Sequence, residues 1–242
     1  MYAKYFKRVI DFTLSLMALI ILSPVLLILT ILGAVKMKGN PFFTQARPGK
    51  IDPKTGEEKI FKLIKFRSMT CEKDKDGKLL PDEVRLNKYG RVLRSTSLDE
   101  LPELVNIVKG DMSIVGPRPQ LVRDMVFMTN EQRRRHNIRP GLTGLAQVNG
   151  RNNITWEQKF EYDLQYIDAG VTFISDVKII LQTVGKVIEK EGIVEVGFVT
   201  AEDLGDYLLR TGKVNLSDYE SAQTIAKERE KNGLSTGMEI IS

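Results

Sequence analysis

The chain has 242 residues, a net charge of +5, one cysteine and one histidine. That length allows one domain with additions, and the positive balance favours anionic partners: lipid, nucleotides, phosphorylated small molecules or nucleic acid. Cys71 alone rules out an internal disulfide, and one histidine leaves no basis for a Cys/His zinc centre, so any metal must be held by oxygens, the preference of magnesium or manganese.

Phe12 to Val35 is an uncharged run of about two dozen residues, long enough for one helix to cross a bilayer. Ser23-Pro24 falls in its middle, where proline removes a backbone hydrogen bond and breaks or kinks the helix. Both flanks are basic: Lys4, Lys7 and Arg8 before the run, Lys36 and Lys38 after it. The positive-inside tendency keeps both ends on the cytoplasmic side. A helix-break-helix that enters one leaflet and returns meets both conditions, with Ser23 available to a freed backbone group. A plain kinked span is the alternative. A cleaved signal peptide fits poorly, because the run is too long and no small-residue cleavage site follows it.

From Asn40 the composition turns polar. Phe42–Lys50 and Glu58–Met69 predict two short strands joined by the turn-rich Asp52–Gly56. Lys65 and Arg67 alternate with apolar residues, which places both cations on one strand face. The sequence predicts helices over Leu98–Lys109, ended by Gly110, and over Val122–Met128, followed by a basic one that reaches His136. Further helices are predicted from Thr155 to Asp168 and from Ser175 to Glu191, the latter with an apolar stripe of Val177, Ile180, Leu181, Val184 and Ile188 for packing or membrane contact. The tail from Thr200 carries the capping box Ser217-x-x-Glu220 and reads as solvated or amphipathic helix without chemistry. No glycine-rich phosphate loop is present, which argues against an ATPase or a dehydrogenase. His136, in the basic run EQRRRHN, reads as structural or solvated because no nucleophile is near it in sequence.

The chemistry concentrates in Arg94–Pro119. Asp99 and Glu100 are adjacent, with Arg94 before them and Arg118 after them in Gly116-Pro117-Arg118-Pro119. Paired carboxylates between cations suit phosphoryl transfer: one can attack phosphorus or hold a metal, while arginine forks grip phosphate oxygens. The bland alternative is a capping box, Ser97-x-x-Glu100, at a helix start. Arg151, in the loop Asn149–Asn152, and Arg67 are further candidate phosphate ligands.

These residues form an ordered pattern. The start with Asp11 and Ser23-Pro24, Lys65–Met69, Ser97–Leu104, Lys109–Ser113, Gly116–Pro119, Pro140–Gly144 and Gln147–Asn152 resemble, in order, the bacterial sugar transferases. Within these the likeness is to the short-form monotopic phosphoglycosyl transferases. It covers roughly residues 1 to 200. Periodicity predicts a compact, mixed, helix-rich α/β catalytic domain over residues 39–200, and the resemblance implies that it sits on a re-entrant membrane helix over residues 1–38 broken at Ser23-Pro24. Residues 201–242 form a tail of unassigned role.

It further implies transfer of a sugar-1-phosphate from a UDP-sugar to polyprenyl (undecaprenyl) phosphate at the cytoplasmic face of the bacterial inner membrane. UMP is released, as the first membrane step of glycan assembly. Asp99 is then the nucleophile and Glu100, with Asp99, a ligand of Mg2+; Arg94, Arg118, Arg151 and Arg67 would bind phosphate. Nucleic acid is not an expected partner, and homo-oligomerisation is left open. Two rivals stand beside this reading: a magnesium-dependent nucleotide-sugar diphosphate hydrolase, and a membrane-anchored anion-binding protein without turnover.

Overall fold

The structure, a computed structural model, describes residues 1–150, 154–189 and 202–235. A π-helical turn, Tyr2–Phe6, leads into α1 (Lys7–Ile21), and α2 (Ser23–Lys36) follows after a break at Leu22 with a bend of 65°. Pro24 lies in the first turn of α2, where its missing N–H leaves no helical bond unmade. The Ser23 hydroxyl donates to Ile20 O at 2.8 Å, taking up a carbonyl at the break. No single helix among the described residues is long and apolar enough to cross a membrane; the bent pair meets that test only jointly. Met17, Ile20, Ile21, Leu27, Ile28, Ile31 and Val35 are each more than half exposed, an apolar surface that water does not favour.

The inner face of α1 is polar where it meets the domain. Asp11 is buried and accepts from the Ser113 hydroxyl at 2.6 Å and the Ile114 N–H at 3.2 Å. Lys7 pairs with Asp176 at 2.5 Å, and Tyr2 and Tyr166 donate to the same carboxylate. The bent helix pair is therefore joined to the domain in part by buried hydrogen-bonded charge, which fixes its orientation more than it adds stability.

Strands β1 (Phe42–Ile51) and β2 (Glu58–Phe66) pair antiparallel, from Phe42 opposite Phe66 to Pro48 opposite Ile60, with a register shift before Ile51. The sequence placed both strands well. Two helices follow, α3 (Asp82–Arg85) and α4 (Lys88–Ser95), the second capped by the Asn87 side chain, which accepts from Gly90 N–H. Next come a 3-10 turn, Leu98–Glu100, and α5 (Glu103–Lys109), stopped by Gly110 at φ 92°. The predicted continuous helix from Leu98 is thus two pieces, and Pro102 is the reason: it sits at the N-cap of α5. The capping-box expectation also fails, because Ser97 is left-handed at φ 55° and caps nothing.

Strands β3 (Ser113–Val115) and β4 (Gly141–Thr143) form a second, parallel pair. Between them run α6 (Val122–Met125) and α7 (Asn130–Arg133), and after them α8 (Leu145–Val148), α9 (Trp156–Asp168) and α10 (Phe173–Glu189). Thr155 caps α9 as predicted. Helix α10 begins earlier than Ser175, since Thr172 and Ser175 exchange side-chain hydrogen bonds across its first turn. Its stripe divides: Ile180 packs inward, while Val177, Leu181 and Val184 stay exposed together with Phe173 and Ile174.

The main core joins Phe61 and Leu63 of β2 to Leu104 and Ile107 of α5 and to Met112, with Ala18 and Leu19 of α1 against it. The tail is better packed than its composition suggested. In α11 (Leu204–Arg210) Leu204 is buried with Met128, Trp156 and Phe160; in α12 (Leu216–Ser235) Ala226 is buried with Ile60, Val122 and Met125. Arg229 reaches Glu57 and Glu58, and α12 is capped by Asn215 rather than by the Ser217 box. His136 is structural as read: buried, with Nδ1 3.0 Å from Glu58.

Candidate active site

Besides the apolar packing of Leu104 and Ile107, one polar side chain of α5 fixes it on β2. Asn106, 1 % exposed, accepts from Ile64 N–H at 3.1 Å and donates to Lys62 O at 2.8 Å, occupying the β2 edge that β1 does not pair. One turn earlier on the same helix face stands Glu103, so the strand's Lys65 meets it. Lys65 Nζ lies 2.8 Å from Glu100 Oε1 and 3.1 Å from Glu103 Oε1. Arg118, from the Gly116–Pro119 turn, adds a 2.5 Å contact to the same Glu100 oxygen.

Charge is apportioned unequally within this cluster. Burial opposes ionisation of Glu100, but Arg118 and Lys65 overcome it and hold the carboxyl well below the usual range. Glu100 in turn holds Arg118 firmly protonated. Asp99 goes the other way: burial, then the Glu100 charge, push its carboxyl up, and Lys65, Arg118 and Arg94 offset this only in part. Among the described residues no hydrogen bond or ion pair engages the Asp99 carboxylate. Asp99 is therefore an electron-rich oxygen pair, desolvated yet unspent, beside cations that could receive phosphate.

Arg94, at the end of α4, is held by donating Nε–H to the Ser68 hydroxyl at 2.9 Å, and its field falls on Asp99. Gly90 makes this contact reachable: a Cβ there would lie 1.8 Å from Ser68 O, so only glycine lets α4 approach so closely. The side chain of Arg118 remains 39 % exposed, so its guanidinium can meet a ligand as well as Glu100. Arg67 is not brought in. It lies beyond the end of β2 with its N–H on Pro41 O, and no ion pair among the described residues links it to the acid cluster. Arg151 lies outside the described residues.

Sequence reading missed two partners of the acids and one buried cation near Arg118. Lys65 is the strand cation that contacts the acids: the strand ends at Phe66, and Lys65 pairs with Glu103 of α5. Glu103 was legible as the residue one turn after Glu100. Arg47 on β1 gave no signal. Its guanidinium donates to Pro119 O at 2.9 Å and Gln45 Oε1 at 2.7 Å, and burial, with Arg118 beside it, brings it down to about 10.

The donor chemistry suits a magnesium ion without defining a complete site. Asp99 and Glu100 are hard oxygen donors whose mutual repulsion a divalent cation would relieve. No cluster of three or more metal-ligating side chains exists among the described residues, so the substrate's phosphates and water would have to complete the shell, as is usual for magnesium.

Adjacent carboxylates, one tied and one without a hydrogen-bond partner among the described residues, stand beside lysine and arginine, an arrangement suited to phosphoryl transfer. Residues 2–190 match the family model described as bacterial sugar transferase, and the chain belongs to that family of transferases. It is 47% identical over 196 residues to an uncharacterized sugar transferase, EpsL, of Bacillus subtilis, covering 81% of this chain and 94% of the relative. It is also 41% identical to the UDP-glucose:undecaprenyl-phosphate glucose-1-phosphate transferase of Klebsiella pneumoniae and 38% identical to the enzyme of that name from Escherichia coli. Those matches cover 75% and 74% of this chain but 40% and 39% of the relatives, so the chain spans about two fifths of their length.

Proposed function

We propose that this protein transfers a sugar-1-phosphate from a UDP-sugar to polyprenyl phosphate at the cytoplasmic surface of a membrane, releasing UMP. The observation that carries this reading is the unspent, desolvated Asp99 carboxylate beside a Glu100 already neutralised by Lys65 and Arg118. The names of the Klebsiella pneumoniae and Escherichia coli relatives support the substrate classes.

Arg118 and Arg94 gather the diphosphate and spread its charge, so that a carboxylate can approach phosphorus. A bound magnesium ion, held by Glu100 and Asp99, would supply further neutralisation of phosphate oxygens. An Asp99 oxygen attacks the sugar-linked phosphorus; a new P–O bond forms, the bond to the UMP phosphate breaks, and UMP leaves with the electron pair. A phosphate oxygen of the polyprenyl phosphate then attacks the same phosphorus. Asp99 departs as carboxylate and the product is polyprenyl diphosphate-sugar. Two steps let a soluble donor and a greasy acceptor use one centre in turn.

The 65° bend, the basic flanks and the exposed apolar face support a re-entrant hairpin rather than a span. It would hold Asp99 at headgroup depth, where the acceptor phosphate lies. Product analysis tests the function. Incubation of a UDP-sugar with the full chain should yield UMP and lipid-linked sugar when polyprenyl phosphate is added. Free sugar-phosphate regardless of acceptor would make the protein a hydrolase, and binding without product would make it an anchor.

A further inference from the structure

A second cationic recess lies away from the acid cluster, at the opposite end of α5. It is a cavity of about 60 Å³ lined by Ala3, Lys7, Arg8, Asp11, Lys50, Ser113, Ile138, Arg139 and Val171. Its size is far below the roughly 300 Å³ of a pocket for a drug-sized ligand, so it suits a single small charged group. Since α5 has seven residues, the recess is roughly 10 Å along that helix from Glu103.

The lining carries more cations than carboxylates: Lys7, Arg8, Lys50 and Arg139 against Asp11. Lys7 is paired with Asp176; Asp11, the one carboxylate of the lining, accepts from Ser113 and Ile114, and its charge and that of Asp111 act on Arg8. Arg8, Lys50 and Arg139 have no carboxylate within ion-pair distance among the described residues. Two of these cations are held in place by backbone. Arg8 donates to Ile107 O at 2.5 Å and Val108 O at 2.8 Å, and Arg139 donates Nε–H to Gly110 O at 2.7 Å. Both guanidinium groups thus converge on the end of α5, and those carbonyls offset part of their charge. The two amino groups of Arg139 and the Lys50 ammonium make no hydrogen bond among the described residues. Fixed, partly unspent donors around a small recess are what a phosphate group needs.

Location narrows the ligand. The recess opens beside the first turns of α1, at the basic edge of the apolar hairpin, with Ala3, Ile138 and Val171 as an apolar wall. We propose that it binds the phosphate of a membrane amphiphile, separately from the reacting centre, and so sets the depth and tilt of the hairpin. This rests on the membrane placement given above. The shared chemistry is a lipid-borne phosphate; its source is either an anionic phospholipid or the polyprenyl phosphate acceptor.

The test uses the full chain, delipidated in neutral detergent, and its Lys50→Gln/Arg139→Gln double variant. Native mass spectrometry would count retained phosphatidylglycerol against phosphatidylcholine, and kinetics would give KM for polyprenyl phosphate and for the UDP-sugar. Loss of roughly tenfold in phosphatidylglycerol retention, with phosphatidylcholine unmoved, supports the site with a phospholipid as its occupant. Unchanged retention with a roughly tenfold rise in KM for polyprenyl phosphate alone supports it with the acceptor as occupant. Arg139→Lys, which keeps the charge, should recover most of either effect, a result that mere misfolding would not give. If neither quantity moves in the double variant, the proposal is overturned. Lipid retention is read without turnover, so an inactive wild-type protein would sink the assigned reaction and leave this site still testable.

Discussion

Lys65 bridges two carboxylates, Glu100 at 2.8 Å and Glu103 at 3.1 Å, and so ties β2 to both pieces of the broken helix that carries Asp99. Glu103 is 1 % exposed, so removing the ammonium would leave a buried acid without a cationic partner. Lys65→Met should lower stability by about 3 kcal/mol and reduce kcat by roughly 100-fold or more. Thermal melting and steady-state kinetics read the two effects. A variant with wild-type kcat would remove Lys65 from the site.

Asn106 and Gly90 act at one remove, by placing the acids and Arg94. Asn106→Leu leaves Ile64 N–H and Lys62 O unpaired at the β2 edge and should cost about 2 kcal/mol or more by denaturant titration. Gly90→Ala must push α4 away from Ser68 O, shifting Arg94 off its hydroxyl partner. The expected result is a KM for UDP-sugar raised several-fold, with Ser68→Ala producing a smaller change in the same direction.

The tail should be docked more firmly in mild acid. Asp124 is 2 % exposed and accepts from Leu121 and Leu204 N–H groups; burial, then Asp203, push it up to about 6 from 3.8. Its folded pKa exceeds its unfolded one, so its stabilising contribution is complete below about pH 4 and is lost as pH rises through 6. Raising the pH from 5 to 7.5 should therefore remove roughly 1–1.5 kcal/mol, an amount absent from Asp124→Asn. Denaturant titrations at the two pH values compare the slopes, whatever the baseline change in the variant.

The re-entrant reading predicts that both ends of the hairpin face one compartment. In a Cys71→Ser background, Ala3→Cys and Asn40→Cys should each react with an impermeant thiol reagent from the cytoplasmic side. Labelling from opposite sides would make the hairpin a kinked span.

The break in the apolar run and the meeting of Glu100 with Arg118 were legible because each rests on local chemistry: proline within an apolar run, and charges close in sequence. Both strands were legible for the same reason, from short alternating runs and a turn. What failed was long-range. Ser97 looked like a cap, but Pro102 divides the helix and Ser97 is left-handed with no side-chain cap bond. Arg47 reaches the turn that carries Arg118 only because β1 runs beside Pro119, a relation 72 residues apart in sequence. The tail read as solvated because Ala226 and Arg229 gain meaning only against Ile60 and Glu58.

The central claim is that Asp99 carries the sugar-phosphoryl group. The most direct measurement is a single-turnover incubation with UDP-sugar radiolabelled in the sugar, without acceptor, followed by denaturing separation of the protein. Label should remain on the wild-type chain, leave it on addition of polyprenyl phosphate, and be absent from Asp99→Asn. Steady turnover by Asp99→Asn, or a wild-type chain that never carries label while making lipid-linked sugar, would contradict the account.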